Sequence, residues 1–160
     1  MIRREFLGAI PGLFLATRVA AAAAGPEDPI KIVKLELTEE EWRKRLSAQQ
    51  FAVLRQEATE RAGSSPLNNE KRKGHFACAG CDLPLFTSEA KYESGTGWPS
   101  FYAPIAGRLG TKTDFKVILP RTEYHCIRCD GHQGHVFDDG PKPTGKRYCN
   151  NGVALKFVPT

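Results

Sequence analysis

The sequence predicts a mainly β, single-domain fold whose short helices are confined to the amino-terminal part. Three observations carry this. The chain has 160 residues, enough for one hydrophobic core, and its 15 Gly and 11 Pro favour many turns over long helices. Beyond Pro66 the apolar residues come in short runs bounded by Gly, Pro, Asn and Asp, which is the pattern of antiparallel strands. Two Cys-x-x-Cys turns, far apart in the chain, offer a staple for such a fold.

Residues 3–7 read RREFL, followed by a weakly apolar stretch from Gly8 to Ala16 and an alanine run ending at Ala24. Paired arginines, Phe-Leu two residues on and small residues suited to an Ala-x-Ala site resemble a twin-arginine export signal over residues 1–24. The resemblance implies export, to a periplasm or its equivalent, of a protein folded beforehand in a reducing compartment. An uncleaved tail on a cytoplasmic protein is the alternative, and Arg18 inside the apolar stretch keeps it open. The stretch is too short for a membrane span, which needs about 20 largely apolar residues.

Residues 25–34 read as a linker around Pro26 and Pro29, and Ile30 to Leu37 alternates well enough for a short extended segment. Thr38 followed by Glu41 is a capping box, so a helix starts there. Ser47 offers a second N-cap, with Phe51, Leu54 and Ala58 at helical spacing ahead of Gly63 and Pro66. The clearest strands are Phe115–Leu119, Tyr124–Ile127 and Val153–Val158.

The 5 cysteines divide into four plus one. Cys78, Cys81, Cys126 and Cys129 form two turns, each able to bind one tetrahedral ion from one side, which implies one zinc per chain. Four thiolates close the coordination sphere and leave no position for water, so this zinc is structural. The formal charge of +5 includes Arg3, Arg4 and Arg18 against Glu5. Once those are set aside and four thiolates have bound Zn²⁺, the domain carries only about +1. No Lys/Arg stripe with interleaved aromatics is present, so a zinc ribbon binding nucleic acid is disfavoured. A zinc deaminase would need His-x-Glu and Pro-Cys-x-x-Cys, and neither is there.

Cys149 stands apart in RYCNN, flanked by polar residues, with Arg147 placed to favour a thiolate. A lone cysteine accompanied by histidines elsewhere in the chain is a nucleophile pattern. His132 and His135 lie in GHQGHVF, read as a rigid Gly-rich loop directly after the second cysteine pair and suited to acid–base or orienting work. GTGWPSF displays Trp98 on a turn, either as core or as a pocket wall.

Together, the capping-box helix, the stretch from Ser65 to Phe86, GTGWPSF, the second cysteine pair with GHQGHVF, and RYCNN resemble the type B methionine sulfoxide reductase family over about residues 35–158. The resemblance implies two small antiparallel sheets with short helices toward the amino end, in a domain over 35–160. It implies that Cys149 attacks the R epimer of methionine sulfoxide, chiefly in oxidised proteins or peptides, becoming a sulfenic acid. Trp98 would pack on the substrate methyl, His132 and His135 would bind and protonate the sulfoxide oxygen, and Asn151 would orient the site. Beside them, Asp138 and Asp139 are read as residues that set the histidine loop, and neither is assigned a catalytic role. Many family members carry a second, resolving cysteine where this sequence has Thr96. Recycling here would therefore depend on an external thiol, either a thioredoxin-like protein or a small molecule.

Overall fold

The computed structural model describes residues 31–116 and 119–160; the expected export signal and most of the linker lie outside the described residues. Ile32–Thr160 forms one compact unit. Helix α1 (Glu39–Arg45) opens on the expected capping box, with Thr38 and Glu41 each bonding the other's backbone N–H. Helix α2 (Ala48–Gln56) repeats the device with Ser47 and Gln50. It ends well before Gly63, because Glu57 adopts the left-handed conformation at φ 56° and closes the helix.

Among the described residues nine strands follow: β1 (Gly74–Cys78), β2 (Pro84–Thr87), β3 (Lys91–Tyr92), β4 (Ser100–Phe101), β5 (Leu109–Asp114), β6 (Arg121–Cys126), β7 (His132–Phe137), β8 (Arg147–Asn150) and β9 (Leu155–Pro159). They build a three-stranded sheet in the order β2-β1-β9 and a six-stranded sheet in the order β3-β4-β8-β7-β6-β5. All pairings are antiparallel. Aromatic rings join the sheets face to face. Phe86 of the small sheet stacks on Phe101 of the large one at 4.1 Å between centroids, and Phe76 meets Phe101 edge-on at 4.9 Å.

The expected strand at Phe115–Leu119 falls partly on residues 117–118, which lie outside the described residues, and the described residues around them form no strand. Phe115 and Leu119 lie outside any strand and are 75% and 76% exposed, while the strand in this region is β5, just upstream. β5 is an edge strand of mixed, largely polar sequence, so apolar alternation does not reveal it. The chain at Val153 likewise turns through a single 3-10 turn, Gly152–Ala154, before β9 begins. GHQGHVF is a strand and not a loop. Its Gly134 sits opposite Asn150, and a Cβ there would lie 1.9 Å from the Cys149 carbonyl oxygen, so the glycine serves a close backbone approach inside the sheet.

Candidate active site and metal centre

Both cysteine turns have the same build. In the first, Cys78 accepts from the N–H of Asp82 at 2.9 Å, with Asp82 left-handed at φ 62°. In the second, Cys126 accepts from Asp130 at 2.9 Å, with Asp130 at φ 54°. The first turn links β1 to β2 and the second links β6 to β7, so an ion between them ties one sheet to the other. Cys78 and Cys129 sulfurs are 3.6 Å apart, Cys81 and Cys126 sulfurs 3.5 Å, and all four lie within 4.8 Å of one another. A tetrahedron with Zn–S bonds of about 2.3 Å has edges of about 3.8 Å, so this buried donor set fits a structural zinc. The helices clamp it from outside: Arg45 Nε donates to Gly80 O at 2.7 Å and Arg55 Nη1 to Cys129 O at 2.8 Å.

Cys149 lies on β8, paired across the sheet with His135 of β7 on one side and Ser100 of β4 on the other. It opens into a pocket of about 110 Å³ whose walls include Trp98, Arg121, His135, Phe137 and Asn151. Burial pushes the Cys149 thiol up, outweighing the pull of Arg147 and the Thr96 hydroxyl toward the thiolate. Arg147 acts in the direction expected, toward the thiolate, but burial is the larger influence. Arg147 spends its charge on Asp139 through two bonds of 2.8 Å and lies over the Phe137 ring. Asp138 bonds Lys146, and Asp139 reaches the histidine strand through Arg147, the ladder partner of Phe137.

The Trp98 indole N–H donates to Glu60 O at 3.1 Å, which fixes the ring. Asn151 accepts from Glu60 N at 3.0 Å and donates to Gln133 O at 2.9 Å, so its amide clamps two backbones at the pocket edge. His132 is nearly buried behind the pocket, its Nδ1 2.7 Å from Glu123 Oε1, and its ring centroid is 5.5 Å from that of His135. Glu123 also meets His125 Nδ1 at 3.1 Å. Burial pushes Glu123 up, but the bonds to the two histidines prevail and bring it down to about 2.

His135 Nε2 lies 2.7 Å from Asp114 Oδ2, and burial holds this imidazole below its ordinary value against the pull of Asp114. Glu60 Oε atoms accept from the N–H groups of Gly152 and Val153. The sequence reading missed Glu60, Asp114, Arg121 and Glu123. Strand register reveals Asp114, Arg121 and Glu123, and the packing of the segment after α2 against Gly152 and Val153 reveals Glu60. Among the described residues, no helix is long and apolar enough to cross a membrane.

The fold and this arrangement define a class: a two-sheet β domain closed by a four-cysteine metal staple, with one further cysteine in a pocket beside a histidine–carboxylate pair. The SelR domain model matches residues 46–159. Peptide methionine sulfoxide reductase MsrB of Methanosarcina barkeri is 52% identical over 124 residues, covering 77% of this chain and 87% of that one. MsrB of Pseudomonas putida is 51% identical over 127 residues, 79% and 96% of the two chains. Chloroplastic B1 of Oryza sativa is 54% identical over 125 residues, 78% of this chain and 58% of its own length. The chain belongs to the peptide methionine sulfoxide reductase B family. It spans 58% and 60% of the two plant relatives it matches.

Proposed function

We propose that this protein reduces methionine-R-sulfoxide, chiefly in oxidised proteins and peptides, to methionine through Cys149. The observation that carries the reading is the pocket itself, in which the one cysteine outside the metal cluster faces an imidazole across the β7–β8 ladder under a fixed indole. Trp98 packs on the substrate methyl, His135 meets the sulfoxide oxygen, and His132 supports it from behind. Asn151 holds the pocket edge in register.

The chemistry needs an acid, because sulfoxide oxygen leaves poorly until protonated. Cys149 rests as a thiol in its buried setting and gives up its proton as it takes the oxygen. The product is Cys149–S–OH with methionine. We read Thr96 as standing where many family members carry a resolving cysteine, so an external thiol, thioredoxin-like or small, completes the cycle. The zinc held by Cys78, Cys81, Cys126 and Cys129 supplies structure and takes no part in these steps.

Residues 3–24 carry the twin-arginine pattern, and we place the mature protein outside the cytoplasm on that basis. The functional reading is tested by incubating zinc-loaded protein with separated R and S sulfoxides of a methionyl peptide and a chemical dithiol. Methionine from the R epimer alone, abolished in Cys149→Ser, is the expected result. Equal turnover of the S epimer, or an active Ser variant, would overturn it.

A further inference from the structure

His135 shares its carboxylate partner with a cation. Asp114 Oδ2 accepts from His135 Nε2 at 2.7 Å and from Arg121 Nη2 at 2.8 Å, while Oδ1 accepts the Lys116 N–H at 2.9 Å. Asp114 and Arg121 face each other across the β5–β6 ladder, and Asp114 is only 9% exposed. With both oxygens held, the carboxylate cannot turn. The Lys116, His135 and Arg121 bonds, in that order, keep it well below the usual carboxylate range, so it is anionic and accepts only. The proton of neutral His135 therefore sits on Nε2, and Nδ1 is the nitrogen left for the pocket.

The other charged or titratable groups facing His135 are few among the described residues. Glu123 on β6 lies opposite it but is bonded to His132 and His125. His132 lies beside it on β7, and Cys149 lies opposite on β8. Arg121 also lines the pocket, and its buried Nε has no hydrogen-bond partner. Asp114 favours a second proton on His135, and Arg121, on the same oxygen, opposes it.

We propose that Asp114 is the positioning residue for His135, fixing its tautomer and aiming Nδ1 at the sulfoxide oxygen, and that Arg121 sets how readily the imidazole takes the second proton. This rests on the sulfoxide-reduction reading above. In that step the His135 imidazolium lends its Nδ1 proton to the oxygen while the oxygen passes to the Cys149 sulfur. The thiol proton returns to Nδ1. Cys149–SH and the sulfoxide thus become Cys149–S–OH and a thioether; the cysteine sulfur gives up two electrons and the substrate sulfur gains them.

Two variants at one oxygen must act in opposite directions. Asp114→Asn keeps an acceptor but removes the anion, and Arg121→Gln removes the opposing cation. The experiment is an NMR titration of His135 in ¹⁵N-histidine-labelled, zinc-loaded protein, together with kcat against pH on the R sulfoxide. Asp114→Asn should move the His135 titration, and the alkaline fall of kcat, down by about one pH unit, and Arg121→Gln should move both up. Unmoved titrations with activity falling only in step with thermal stability would overturn the inference. If Asp114→Asn does not fold, Arg121→Gln decides: an upward displacement supports the inference and none overturns it. A wild type inactive on sulfoxides would sink the functional reading, whereas the titrations judge Asp114 and Arg121 independently.

Discussion

Glu123→Gln tests whether the carboxylate behind the histidines is held as an ion by the fold. Glu123 is 2% exposed and bonded to two imidazoles, at 2.7 Å and 3.1 Å. Its acidity moves from the ordinary 4.5 down to about 2. At 1.36 kcal/mol per unit, this makes the ionised form worth on the order of 3 kcal/mol of stability at pH 7. The folded value is the lower one, so the contribution is complete above about pH 4.5 and is lost as pH falls toward 2. Urea unfolding of zinc-loaded wild type and Glu123→Gln, with zinc measured in each sample, should give a gap near that size at pH 7. The gap should narrow by about 1 kcal/mol at pH 4 and about 2 kcal/mol at pH 3. A gap that is constant from pH 7 to pH 3 would refute the reasoning, because a shape or packing effect carries no such slope.

Three further outcomes are expected. Cys129→Ser should lose zinc and thermal stability together in elemental analysis and calorimetry, since the cluster joins the two sheets and structural zinc contributes on the order of 10 kcal/mol. Gly134→Ala should cost at least about 2 kcal/mol in urea unfolding, because its Cβ meets a backbone oxygen that can retreat only by parting β7 from β8. The same variant should lose activity through the displaced Cys149. Thr96→Cys should form a disulfide with Cys149 after one turnover, seen by mass spectrometry, where the wild type forms none.

The local signals in the sequence were the readable ones. Thr38 with Glu41, and Ser47, act on neighbours three residues away, and both caps are present in the structure. The Cys-x-x-Cys spacing likewise determines its own turn, and doubling it was enough to indicate one four-sulfur cluster. Strand placement was read less well. Phe115 and Leu119 are apolar yet exposed, while β5 is an edge strand with little to bury.

GHQGHVF looked like a loop because glycine usually marks one, but Gly134 is required by the backbone of a neighbouring strand. Cys149, Trp98, His135 and Asn151 were legible as types in motifs and do meet at one pocket. His132 belongs to the support behind it. Asp114, Glu123 and Glu60 were invisible because an acidic residue in a polar segment reads as surface. Only the register across β5, β6 and β7, and the packing of residues 57–60 on the pocket edge, bury them.

If the five cysteines divide into one that reacts and four that hold metal, a single turnover must leave the four untouched. Reduced, zinc-loaded protein is mixed with one equivalent of methionine-R-sulfoxide peptide and no reductant, then trapped with a sulfenic-acid reagent and examined by mass spectrometry with zinc counted. The expected result is one methionine per chain, the trap on Cys149, no new disulfide and full retention of zinc. A disulfide between Cys149 and any of Cys78, Cys81, Cys126 or Cys129, with zinc released, would contradict it.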